Sequence, residues 1–219
     1  MVSLWRRCGR AAMALAYVSS ASIGPRPTLS ALGSQVEIAP TSVPDSVLRG
    51  GPGAFGAPRS EGKKHTGVDI VSRQSSQDKS VFRVMAVSSG VVAYAGYNGE
   101  VSEGYGYTVV IDHTNNIYTL YGHLATLASA SMVKVGDRVK RGQIIGYMAD
   151  LANGERSSGN VLAQVVGKYD KIQLHFEVFR APAGRFSRAS INKDIKKLDF
   201  QLIDPTSELS GFGYANYNE

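Results

Sequence analysis

Cysteine is almost missing from this sequence: Cys8 is the only one in 219 residues. A mature chain without it holds no disulfide and tolerates either redox compartment. Cys8 also lies ahead of the apolar run from Ala11 to Val18, not behind it, so it is not placed as a lipoprotein anchor. That run is too short to span a bilayer, which argues against stable membrane insertion. Charge of one sign is scarce as well. The formal balance is +6, and Arg6, Arg7 and Arg10 supply three of those charges, so a chain lacking its first ~21 residues would carry +3. No basic stripe interleaves with aromatic residues, which leaves no footprint for a nucleic acid. Long helical periodicities are few and internal repeats are absent, so helical bundles and solenoids are excluded.

Glycine and tyrosine are abundant, at 24 and 11 residues. They accompany short runs of branched and aromatic residues, which reads as a β-rich domain. Strands are expected over Val68–Val71, Val81–Val87, Gly90–Ala95, Tyr107–Asp112, Ile117–Tyr121, Gln143–Tyr147 and Ile172–Phe179, separated in part by glycine-containing turns. One short helix is expected near Leu124–Ala130, a long loop over Ala149–Tyr169, and a surface helix or strand in "INKDIKKLDF". Ahead of these, a basic stretch, an apolar run and small residues follow the grammar of a signal peptide. The chain therefore divides into a signal peptide over 1–21, a Ser/Pro/Gly-rich linker over 22–51, a β domain over 52–209 and a tail over 210–219. Export to the periplasm or cell envelope is expected.

Only four histidines are present, which makes the search for chemistry small. In "KYDKIQLHFEVFR", residues Ile172, Leu174, Phe176 and Val178 alternate with Gln173, His175 and Glu177, the pattern of a half-buried strand. His175 and Gln173 thus share one face, and Glu177 beside them reads as a solvated strand glutamate or as an acceptor orienting His175. A catalytic zinc site takes three protein ligands and keeps one position open. His65 and Asp69, four residues apart around Gly67, converge if the chain turns at the glycine and enters a strand, and His175 offers a third ligand from a neighbouring strand.

Six blocks then occur in a telling order: "FGAPR" leading into "HTGVDI", "VMAVSSGVVAYAG", "GYGYTVVIDH", "YTLYGHL", "VKVGDRVKRGQIIGYM" and "QLHFEVF". From Phe55 to Val178 the sequence resembles the M23 family of lysostaphin-type, or LytM-domain, zinc endopeptidases that act on peptidoglycan. The resemblance implies a mainly β fold, an antiparallel β-sheet groove with few short helices and a metal on its floor. It implies Zn2+ held by His65, Asp69 and His175, with His123 as a catalytic histidine. His113 falls in a block where the family histidine is structural, capping a turn.

One position departs from the family pattern. The first histidine of the family's H-x-H motif, commonly its general base, is replaced by Gln173, and an amide can position water but cannot accept its proton. The resemblance implies hydrolysis of peptidoglycan peptide cross-links, slowed by that substitution. The alternative is an inactive LytM-type module that binds peptidoglycan or regulates a cell-wall amidase as its partner. A third class, the biotinyl or lipoyl carrier hairpin, is suggested by "VKVGDRVKRGQIIGYM" but lacks a modifiable lysine in the turn that follows.

Overall fold

A computed structural model describes residues 36–41, 46–72, 82–98, 105–125, 132–149, 172–181 and 200–217. The signal peptide, residues 22–35 and 42–45 of the linker, residues 126–130 of the helix expected near Leu124–Ala130, the Ala149–Tyr169 loop beyond its first residue and residues 191–199 lie outside them, while Leu124 itself closes β6. The elements are β1 (Ser46–Arg49), β2 (Val68–Ser72), β3 (Arg83–Met85), β4 (Gly90–Asn98), β5 (Gly106–Asp112), β6 (Ile117–Leu124), β7 (Arg138–Val139), β8 (Ile144–Tyr147), β9 (Gln173–Arg180), β10 (Gln201–Ile203), a short helix α1 (Thr206–Gly211) and β11 (Ala215–Tyr217). Nine strands make one sheet in the order β11-β1-β2-β9-β6-β5-β4-β7, with β10 also pairing β9, while β3 and β8 pair separately. Every neighbour is antiparallel except β1 and β11. The fold is mainly antiparallel β, as the strand-like runs indicate.

The best-formed strands carry branched and aromatic residues that pack on a pleated surface. β5 and β6 form a hairpin whose turn, Thr114, Asn115 and Asn116, has three successive positive φ angles of 72°, 51° and 64°. Asparagine tolerates that region through local hydrogen bonding; Thr114 is held there by its N–H donating to Asp112 Oδ1 at 2.8 Å.

Alternation assigns the two sheet faces. Val109, Ile111, Tyr121, Leu174, Phe176 and Val178 belong to the larger core, joined by Phe82, Val84 and Ile145. On the opposite face Tyr94, Val110, Tyr118, Leu120 and Phe179 make a second cluster, against which Tyr105, Phe200 and Leu202 pack. β9 is therefore buried on both faces, and the half-buried reading of its alternation is corrected. A strand flanked by β2 and β6, with apolar groups over both surfaces, has no solvent face.

Two further differences concern short strands. β1 lies within the stretch read as linker and β11 within the tail, yet both join the sheet. Val47 and Leu48 pair with Val71 and Ile70 of β2 on one side and with Ala215 and Asn216 of β11 on the other. Three or four residues carry too little periodicity to be seen locally; their stability comes from neighbours distant in sequence.

Gly67 sets how closely β2 approaches β9. A Cβ there would stand 2.3 Å from the Phe176 carbonyl oxygen and 2.7 Å from Glu177 Cγ. Because the first clash is with backbone, Gly67→Ala should destabilise the domain by roughly 1–3 kcal/mol, the usual cost of overpacking. Urea denaturation of both proteins checks this.

Candidate metal centre

Asp69 and His175 are direct cross-strand partners in the β2–β9 register, so two chemically complementary groups face each other across neighbouring strands. His65 precedes β2 and is pinned by its backbone: its N–H donates to the Ala57 carbonyl at 2.8 Å, and the Gly56 N–H donates to its carbonyl at 2.9 Å. The bend at Gly67 then brings its ring to the other two. His65 Nε2 lies 3.0 Å from His175 Nδ1 and 3.3 Å from Asp69 Oδ1, and His175 Nδ1 lies 3.1 Å from the same oxygen. All three residues are buried. The structure thus brings His65, Asp69 and His175 together around one point.

The triangle fits a small divalent cation. Ligands about 2.0–2.1 Å from a tetrahedral zinc are separated by about 3.3 Å, and the three edges here are close to that. The lone-pair bookkeeping agrees. His65 Nδ1 lies 2.9 Å from the Ala54 carbonyl; a carbonyl only accepts, so that nitrogen carries the proton and Nε2 presents a lone pair. Two imidazoles and a carboxylate are a donor set used by zinc and by other first-row divalent metals.

Charge balance makes the same demand. Asp69 is 6% exposed and Glu177 0%. Burial alone raises a carboxyl's pKa, but hydrogen bonds to His175 and His65 outweigh it and hold Asp69 well below its usual range. Glu177 is likewise lowered, burial being overcome by the hydrogen bond and charge of His175 and by Thr66. Among the described residues no lysine or arginine contributes to either shift. Two buried anions without a strong cation are costly. Without metal the compensation falls to His175, whose pKa burial would lower but whose bonds to Asp69 and Glu177 push it up to about 9.

His123 stands beside this triangle, its ring centroid 5.9 Å from that of His175. Gly122 pairs with His175, and the β5–β6 register shifts between Tyr107 and Val109, where β6 carries one extra residue. Such a bulge re-aims a side chain. His123 occupies it with φ of 60°, a conformation held by its N–H donating to the Tyr105 carbonyl at 2.6 Å and its carbonyl accepting from Ala149 N–H at 3.1 Å. Its buried Nδ1 has no partner among the described residues. Burial, then the charge of His175, lowers its pKa to about 4, so the ring is neutral near pH 7.

Gln173 opens β9 opposite Val71 and is half-buried, on the same face as His175. His113 is elsewhere. Its Nδ1–H donates to the Ser89 carbonyl at 3.0 Å, and Nε2 meets the Thr119 hydroxyl at 2.7 Å. Thr119 pairs with Val178, on the core face of the sheet rather than the face of His175. The structural reading of His113 agrees with this placement, and burial lowers its pKa. Glu177 is the larger surprise. The solvated-glutamate reading is overturned: the side chain is fully buried and 2.8 Å from His175 Nε2. Thr66 and Tyr105, which contact this group, carry no signal in the sequence beyond lying in the blocks "HTGVDI" and "GYGYTVVIDH".

The profile of peptidase family M23 matches residues 63–185, more than half of the chain. The DD-carboxypeptidase/endopeptidase Mpg of Neisseria meningitidis serogroup B is 33% identical over 95 residues, 43% of this chain and 18% of that protein. A lipoprotein NlpD/LppB homolog of Pseudomonas aeruginosa is 32% identical over 121 residues, 55% of this chain and 31% of that one. The chain thus spans less than a third of either curated relative. Among solved structures it is similar to a mutant of the catalytic domain of the prophage-encoded M23 protein EnpA from Enterococcus faecalis, with 23% identity, a TM-score of 0.42, and coverage of 77% of this chain and 95% of that one.

Because a proton on His175 occupies the place a cation would take, metal and proton compete. Below pH about 9, zinc uptake should release about one proton, and apparent affinity should rise about tenfold per pH unit before levelling off. Calorimetry in two buffers of different ionisation enthalpy measures the proton count. A value near zero at pH 7 would show that His175 is already deprotonated.

Proposed function

The chain belongs to peptidase family M23, and on that premise we propose that it is a zinc-dependent endopeptidase hydrolysing peptide cross-links of bacterial peptidoglycan. The observation that carries this reading is the buried triangle of His65 Nε2, Asp69 Oδ1 and His175 Nδ1, with edges of 3.0–3.3 Å. In this reading those three residues hold Zn2+. Bound there, zinc supplies a Lewis acid that polarises a carbonyl and makes water nucleophilic near neutral pH.

The chain's own groups supply the rest. His123 is neutral at the working pH and its ring stands beside the triangle, so in this reading that ring takes a proton from the attacking water and returns it to the leaving amine. Gln173 orients water or the substrate amide through its side-chain amide but moves no proton. Without a histidine at position 173 the base work falls to His123 alone, and since a general base is typically worth ~10²–10⁴-fold, this reading gives a slow enzyme rather than a dead one. The leader-like N terminus supports the periplasm or cell envelope as the place of this work.

Gln173 also favours a second reading: a LytM-type module that binds peptidoglycan, or regulates a cell-wall amidase, without cutting. Incubation of purified sacculi with the protein, followed by muropeptide analysis, separates the two. Release of cross-linked peptides that stops with chelator and returns with zinc supports the peptidase; intact sacculi with zinc-loaded protein support the module.

Within the peptidase reading, His123→Ala should abolish the remaining cleavage while leaving zinc stoichiometry at one. Gln173→His should accelerate cleavage by about tenfold or more, given the usual contribution of a general base. Rates of muropeptide release from the three proteins at equal zinc loading test both expectations.

A further inference from the structure

We propose that Glu177 is a positioning residue: its buried carboxylate takes the Nε2 proton of His175 and so dedicates Nδ1 to the metal, while Thr66 and Tyr105 hold the carboxylate in place. The inference rests on His175 being a metal ligand, as in the reading above.

The geometry leaves Glu177 little other purpose. Its side chain is 0% exposed, and the ion pair at 2.8 Å joins its Oε1 to His175 Nε2. Nε2 must donate, because a carboxylate only accepts. Imidazole has two nitrogens, so fixing the proton on Nε2 leaves Nδ1 free to offer its lone pair toward Asp69 and His65. A ligating histidine commonly gives its second N–H to a carboxylate in this way, which fixes the ring and raises its basicity.

The carboxylate is itself oriented. The Thr66 hydroxyl donates to the same Oε1 and can receive the hydroxyl proton of Tyr105, 3.2 Å away. Protons then run in one direction, from Tyr105 to Thr66 to Glu177, with His175 donating from the other side. Burial, then the nearby charge of Glu177, raises the Tyr105 pKa well above its usual value, so the phenol remains a donor. Gly67 admits this arrangement by letting the backbone beside Thr66 lie against Phe176 and Glu177. The Tyr105 ring also lies beside that of His175, tilted by 35° with ring centroids 5.1 Å apart, and its carbonyl accepts the His123 N–H. One residue thereby ties the support of a ligand to the backbone of the neighbouring histidine.

The test uses the full chain, zinc alone as probe, and the variants Glu177→Gln, Thr66→Val and Tyr105→Phe. Zinc affinity is measured by competition with a chromophoric chelator, and the His175 protons by 15N-edited NMR of the imidazole rings. Glu177→Gln should weaken zinc by about 10–100-fold and move the strongly deshielded Nε2 proton upfield. Thr66→Val and Tyr105→Phe should shift both readouts in the same direction by less. Unchanged affinity together with an unmoved Nε2 proton in folded Glu177→Gln overturns the proposal. If that variant does not fold, the same pair of null results in Thr66→Val overturns it. Wild type that takes up no zinc overturns it too. Wild type that binds zinc but leaves sacculi intact sinks only the hydrolytic reading, since neither readout needs turnover.

Discussion

The pairing of Asp69 with His175 across β2 and β9 is the contact on which the rest of the site depends. A carboxylate 6% exposed and an imidazole 3% exposed are tolerable in a sheet interior only if each satisfies the other. Their register fixes the neighbours: two residues before Asp69, just ahead of β2, lies the bend at Gly67, and two steps either way along β9 lie Gln173 and Glu177. A slip of one residue would turn His175 into the apolar core and bring Leu174 or Phe176 to the metal face. Burial of Leu174 and Phe176 on the core face therefore does more than stabilise the domain. It locks the register that aims the histidine.

That constraint also explains why polar groups accumulate around the triangle. Each buried charge must be answered, and among the described residues the answers come from imidazoles and hydroxyls. Asp69 answers His175, Glu177 answers the far side of the same ring, and Thr66 answers Glu177. A network of this kind is costly when half-made and specific when complete. A divalent cation would complete it, because it would bring the two buried carboxylates close to neutrality.

His123 follows a different logic. It is delivered by the extra residue in β6, in a left-handed conformation that a side-chain-bearing residue seldom adopts and that commonly marks functional sites. The cost is borne by two backbone hydrogen bonds, to Tyr105 and from Ala149. Gln173, on the same face as His175, offers hydrogen bonds without titration. The centre is thus well equipped to hold a metal and less well equipped to move protons around it.

Much of this was legible in the residues themselves. Runs such as "YTVVID" and "IYTLYGHL" carry their strand character locally, because branched and aromatic side chains suit a pleated surface wherever it forms. The spacing of His65, Gly67 and Asp69 and the isolated His175 pointed to the three residues that the fold brings together, since this chain has few histidines. Tertiary structure alone decided what lies behind the ligands. Glu177 looks like an ordinary solvated residue in an alternating strand, and only the cover provided by Tyr105 and the second apolar cluster makes it a buried acceptor. β1 and β11 are invisible for a related reason: three or four residues form a strand only when partners far away in the chain supply their hydrogen bonds. The positive φ of His123 depends on the register between β5 and β6. Local chemistry sets what a residue can do, whereas burial and register are properties of pairs distant in sequence and exist only once the chain is folded.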